Sequence, residues 1–285
     1  MENPIPNSPG HASPRYAAPE GACDCHFHVF GPLACFPYRP ERGFTPPEAL
    51  LEDYLALMAR LGLARAVIVQ PSVFGTDNAC SEHALARLGA RARGVAVVPA
   101  DVGEGEIARL DALGFRGVRL NLLFKGGTSL EALETLGARL APFGWHIQLL
   151  IDGRELPELK PRLRKLPVDV VIDHMGHMPA NLGLGHPAFV ALCDLLKAGR
   201  TWVKLSAAYR VSVAGPPFGD VAAVARALLA AGPERCVWGT DWPHPAHDGP
   251  ALDDAALLDL VPGWTQDPAL QRQLMSENAA RLYRF

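Results

Sequence analysis

A single (β/α)8 barrel is the fold class this sequence predicts. Eight short, β-branched apolar runs alternate with eight helical patterns over about 260 residues, the count and size of such a barrel. Polar residues crowd the C-terminal ends of those runs, where barrels of this kind keep their chemistry. No shift in composition marks a second domain, and 285 residues with 49% hydrophobic content can bury one large core.

In chain order, residues 1–21 carry Pro4, Pro6, Pro9, Pro14 and Pro19 and lack an apolar core. They read as an extended, flexible tail, leaving residues 22–285 for the barrel. Strands are predicted over 22–30, 65–70, 94–99, 117–121, 146–151, 168–174, 202–206 and 236–241, from β-branched content and flanking Gly or Pro. Helical periodicity covers 47–61, 81–91, 104–113, 129–140, 156–166, 187–198, 221–231 and 268–283. Ser129, Asp220 and Asp267 stand as N-caps, and Gly62, Gly114, Gly144, Gly199 and Gly232 as stops.

The net charge of -3 and the absence of a Lys/Arg run argue against nucleic acid or an anionic membrane as partner. No apolar run reaches the roughly 18 residues a membrane span needs. Six cysteines without a CxxC pair or export signal suggest reduced thiols in the cytoplasm. Cys23 and Cys25 are expected to pack outward against helices. Self-association is left open.

The first run, Cys23-Asp-Cys-His-Phe-His-Val-Phe30, holds the richest chemistry. Strand alternation puts His26 and His28 on one face with Asp24, and Phe27 on the other. Two imidazoles whose Cβ atoms are about 7 Å apart, two strand rises of about 3.3 Å, can converge on one metal ion or one substrate oxygen. Other run ends offer Gln70 and Ser72, Arg119 and Asn121, Asp173 and His174, Lys204 and Ser206, and Asp241. Pro243 and Pro245 forbid the strand to continue past Asp241. A rim carboxylate near imidazoles can deprotonate a water or hold a metal. His174 is a third imidazole and His177 a loop residue. His146 begins its strand and so belongs to the opposite end, while His11, His83, His186 and His247 read as surface or tail. Arg119, Lys125 and Arg210 bring positive charge that suits a carboxylate, Tyr209 can orient a substrate, and Ser72 can contact it.

The pattern His26-x-His28, His174 and Asp241 resembles the amidohydrolase superfamily. The stretches at 24–32, 44–48, 67–72, 117–121, 172–176, 204–210 and 239–244 narrow the resemblance. They are similar to a branch of lactone hydrolases that includes 2-pyrone-4,6-dicarboxylate lactonase, and the matches run from about residue 22 to the C-terminus. The resemblance implies a general base at Asp241, a cluster of His26, His28 and His174 polarising a lactone carbonyl, and arginines gripping substrate carboxylates. It departs from that lactonase at Phe44 and Leu150, where tyrosines are expected, and at Lys125, where an arginine is expected. No lysine ends the fourth strand and no histidine the fifth, which argues against a two-metal centre. The resemblance implies either no metal or one divalent ion such as zinc on His26, His28 and Asp241, with His174 as a fourth group. The expected reaction is hydrolysis of a small anionic lactone; the rival is a metal-dependent decarboxylase of an aromatic or muconic acid on the same barrel.

Overall fold

The computed structural model describes residues 8, 10, 12–124 and 128–285. Eight parallel strands follow one another in a single sheet in the order of the chain. They are β1 (Cys23–Phe27), β2 (Arg65–Val69), β3 (Ala92–Ala96), β4 (Phe115–Asn121), β5 (His146–Leu150), β6 (Val170–Ile172), β7 (Thr201–Ser206) and β8 (Cys236–Gly239). The sheet closes on itself through a parallel bridge between Phe27 and Trp242. His28 N donates to Trp242 O and Asp241 N to His26 O, both at 2.8 Å. The predicted (β/α)8 barrel is therefore the fold.

Helices cover the outside at the predicted places, from Leu51–Arg60 after β1 to Asn278–Tyr283 at the C-terminus. Two short helices, Asp254–Leu258 and Val261–Trp264, were not legible from periodicity because neither completes two turns. Of the three expected caps only Asp267 acts as one, accepting from Ala269 N. Asp220 instead accepts from Ser212 Oγ and from Val213 N and Ala214 N, tying down its own loop. Among the described tail residues, Arg15 and Tyr16 both donate backbone N–H to Asp259 Oδ1 at 2.8 Å.

Strand alternation sorts the core into two layers. Ala66, Ile68, Val118, Leu120, Val203 and Leu205 join the helices outside. Val67, Val69, Val95, Val171 and Val237 face inward and pack on Leu282 and Tyr283 of the last helix, which plugs the bottom of the barrel. Cys23 and Cys25 belong to this inner layer, so the expectation that they pack outward is corrected. The pairing of β1 with β2 slips between Asp24 and Phe27. That slip is a bulge of the kind that puts two successive residues on one side of a strand. Cys25 and His26 thus both face inward.

The same slip turns Asp24 away from the histidines, correcting its expected place beside them. Its buried carboxylate accepts from His26 N and Thr240 N at 2.9 Å, Thr240 Oγ1 at 2.6 Å and Tyr54 OH at 3.0 Å. Asp24 therefore clasps β1 to the end of β8 across the closing seam. Burial pushes its pKa up to about 6 despite those donors, with Thr240 the strongest pull the other way. Removing one donor leaves a buried carboxylate oxygen short of a partner, which costs about 1–3 kcal/mol. Thr240→Val should lower stability by that amount in urea unfolding. An unchanged midpoint at unchanged slope would contradict a clasp at this seam.

Candidate active site

The rim of the barrel gathers residues far apart in the chain. His26 comes from β1 and His28 from just past its end, Arg119 and Asn121 from the end of β4, and Ser206 from the end of β7. His174 follows β6 in a run of left-handed residues: His174 at φ +50°, Met175 at +52°, Gly176 at +77° and His177 at +52°. Asp241 has φ +66° just past β8. Non-glycine residues held at positive φ cost energy and persist where packing over-determines them. Here that strain turns His174, His177 and Asp241 over the barrel mouth.

Three imidazoles surround one carboxylate oxygen. Asp241 Oδ1 lies 3.6 Å from His26 Nε2, 3.7 Å from His28 Nε2 and 3.6 Å from His174 Nε2. His26 Nε2 and His28 Nε2 are 3.3 Å apart. The other carboxylate oxygen, Oδ2, is taken: Tyr209 OH donates to it at 2.5 Å and Arg210 Nε at 2.9 Å. Asp241 is thus gripped on one side and presents Oδ1 to the imidazoles.

The outer nitrogens of the rings are also fixed. His28 Nδ1 lies 2.7 Å from Val69 O; a carbonyl only accepts, so Nδ1 carries the proton and Nε2 is bare. His174 Nδ1 pairs with Ser206 Oγ at 2.8 Å. Below them Asp173 Oδ2 accepts from Arg119 Nε at 3.2 Å and Nη2 at 3.1 Å, and from Gln148 Nε2 at 3.0 Å.

The electrostatics follow from burial. Burial would raise the Asp241 carboxyl, but His174, Arg210 and His28 more than reverse it and hold it well below the usual range. Burial drives His26 down to about 3, aided by the Lys204 charge, and His177 down to about 4, aided by Arg210. Burial also lowers His28 and His174. The site therefore pairs an ionised carboxylate with imidazoles whose charging burial opposes, and the ionised carboxylate can accept a proton from water.

Above this cluster opens a narrow cleft lined by Ser72, Arg119, Asn121, His174, His177, Arg210 and Asp241, with Phe44, Phe124 and Leu150 as apolar wall. Ser72 Oγ and His177 Nε2 are buried there without a hydrogen-bond partner among the described residues. The structure thus brings together His26, His28, His174, Asp241, Ser72, Arg119, Tyr209 and Arg210. Lys125 lies outside the described residues. Both arginines are already partnered, Arg119 by Asp173 and Arg210 by Asp241 and Pro245 O. His146 is buried at the other end of the barrel, edge-on to Tyr283 at 5.3 Å. Asp173, Lys204 and Ser206, offered by the sequence only as polar residues at run ends and given no role there, join the site: Asp173 just past β6, Lys204 within β7 and Ser206 at its end.

Comparison with known proteins agrees with the fold. Residues 23–285 match the protein family described as Amidohydrolase. The chain is 36% identical over 283 residues to a 2-pyrone-4,6-dicarboxylate hydrolase of Comamonas testosteroni, covering 95% of this chain and 93% of that one. It is 37% identical over 273 residues to a 4-sulfomuconolactone hydrolase of Rhizobium radiobacter, covering 94% and 91%. An apo crystal structure of an Agrobacterium tumefaciens protein superposes with a TM-score of 0.89 at 33% identity, covering 96% of this chain and 99% of the other.

The lowered histidines make a pH prediction. A base whose folded pKa lies below its ordinary value stays neutral until pH falls through that lower value. Followed by NMR, His26 and His177 should show no protonation between pH 8 and pH 5 and should begin to charge only as pH approaches about 4 and below. A midpoint for either ring near the ordinary value of about 6.5 would contradict the buried, desolvated site.

Proposed function

Because the chain belongs to the amidohydrolase family, we propose that it hydrolyses a carboxylate-bearing lactone, adding water to the ring carbonyl. The observation that carries this reading is the approach of three imidazole nitrogens to the free oxygen of Asp241. The relatives named as lactone hydrolases support the substrate class.

The chemistry then follows from the geometry. Water sits on Asp241 Oδ1, while Tyr209 and Arg210 hold Oδ2 and fix the direction of the lone pair. As the water oxygen bonds to the carbonyl carbon, its proton passes to Asp241. The carbonyl oxygen becomes an oxyanion facing the imidazole cluster, where a ring N–H held in place by its neighbours stabilises it. Collapse breaks the ring C–O bond, and the departing oxygen takes the proton back from Asp241. The substrate carboxylate would meet the N–H groups of Arg119 and Arg210 that Asp173, Asp241 and Pro245 leave over. Ser72 Oγ and His177 Nε2 offer neutral hydrogen bonds. Phe44 and Leu150 stand where the resembled lactonase carries tyrosines, so this cleft suits a ring with fewer polar substituents on that side.

The donor set also fits one divalent ion. The atoms of His26, His28 and Asp241 are 3.3, 3.6 and 3.7 Å apart, and a tetrahedral ion with bonds of about 2.1 Å needs edges of about 3.4 Å. Zinc held there, with His174 as a fourth group, would supply Lewis-acid polarisation of the carbonyl. The other such cluster among the described residues, His26, Asp173 and His174, shares His26, and Asp173 already answers Arg119 and Lys204. We assign one ion at most.

Turnover of a panel of lactones in a weak indicator buffer, with carbon dioxide followed in parallel, tests this reading. One acid proton should appear per ring opened, without carbon dioxide. A lactone with a carboxylate should exceed its neutral analogue in kcat/KM by about tenfold or more, the worth of one hydrogen bond to a charged group. Carbon dioxide released in step with turnover would replace the proposal with a decarboxylase.

A further inference from the structure

Lys204 on β7 is fully buried at the centre of the barrel, directly beneath His26. Its Nζ donates to Gln148 Oε1 at 2.7 Å and to Cys25 O at 2.8 Å. The third N–H faces His26 Nδ1 at 3.2 Å. Asp173 Oδ1 lies 3.6 Å from the same Nζ and 3.4 Å from His26 Nδ1.

We propose that Lys204 is a positioning residue that selects the tautomer of His26, placing the ring proton on Nε2 and so setting it as a hydrogen-bond donor rather than a metal ligand. An ammonium has three donors and no lone pair. A ring nitrogen facing it must therefore accept, and a neutral imidazole that accepts at Nδ1 is protonated at Nε2. A second observation reaches the same assignment from the other side. His28 Nε2 is bare because its Nδ1 proton is committed to Val69 O. The 3.3 Å between the two Nε2 atoms suits one donor and one acceptor, and only His26 can be the donor.

The structure also contains the opposing partner. Asp173 Oδ1 carries no hydrogen bond among the described residues, and it stands within reach of Nδ1. An ion that claims the Nε2 lone pair would send the ring proton to Nδ1, toward Asp173 and against the Lys204 N–H. Lys204 and Asp173 thus compete for one nitrogen, and the winner decides whether His26 donates to a carbonyl oxygen or ligates a metal. The tautomer does not depend on which lactone is opened; only its catalytic meaning rests on the proposed hydrolysis.

The test needs no substrate. In chelator-treated protein carrying 15N-histidine, two-dimensional NMR distinguishes the tautomers, with the His26 signals assigned by their loss in His26→Gln. His26 should be protonated at Nε2 and His28 at Nδ1; His26 protonated at Nδ1 would overturn the proposal. In Lys204→Met, His26 should move to the Nδ1–H form, and zinc affinity by chelator competition should rise about tenfold or more. A folded Lys204→Met protein with wild-type tautomer and wild-type zinc affinity would also overturn it. A merely structural lysine would change the melting temperature without moving either readout, and the wild-type spectrum decides the question even where the variant does not fold.

Discussion

Two carboxylates buried on the barrel axis govern the rest of this structure. An ionised carboxylate taken out of water costs several kcal/mol unless cations and donors meet it. Asp173 is met by Arg119, Gln148 and Lys204, and Asp241 by Arg210 and Tyr209. Each carboxylate thereby fixes side chains from several strands. The Asp173 group forms a floor beneath His26, and the Asp241 group forms the working edge above it.

This division explains how a small cleft can hold so many polar groups. Cations bind the carboxylates from the sides, and the neutral imidazoles keep the space between them. The rings are packed, with His26 and His174 centroids 4.5 Å apart, so none can swing away to form a different pair. Removing one member leaves its partner buried and uncompensated. The left-handed backbone at 174–177 and at Asp241 is the local cost of this arrangement, and the enclosing loops over-determine it.

Much of this was legible in the sequence, and the misses have physical causes. Alternation along the first predicted run foretold His26 and His28 together, because both face the interior. Alternation failed for Asp24, Cys23 and Cys25, because the bulge before Phe27 breaks the period of two. The two short helices that directly follow β8, Asp254–Leu258 and Val261–Trp264, were invisible, since four or five residues are too few for periodicity to speak. Lys204 and Asp173 looked like rim residues because a strand end in the sequence carries no information about depth. Only when eight strands close does an inward lysine find itself beneath a histidine. Arg119 and Arg210 were read as free for a substrate anion; their charges are half-spent on the carboxylates that the barrel had to bury.

The central claim is that Asp241 removes the proton from the attacking water. It is tested most directly by kcat for a carboxylate-bearing lactone in Asp241→Asn, which keeps the shape of the side chain and removes the base. Folding is checked by unfolding midpoint and ligand binding by calorimetry. The account predicts that kcat falls by about 10² to 10⁴ while fold and binding remain. A folded, ligand-binding Asp241→Asn protein that keeps more than about a tenth of wild-type turnover, far more than loss of a general base allows, would contradict it.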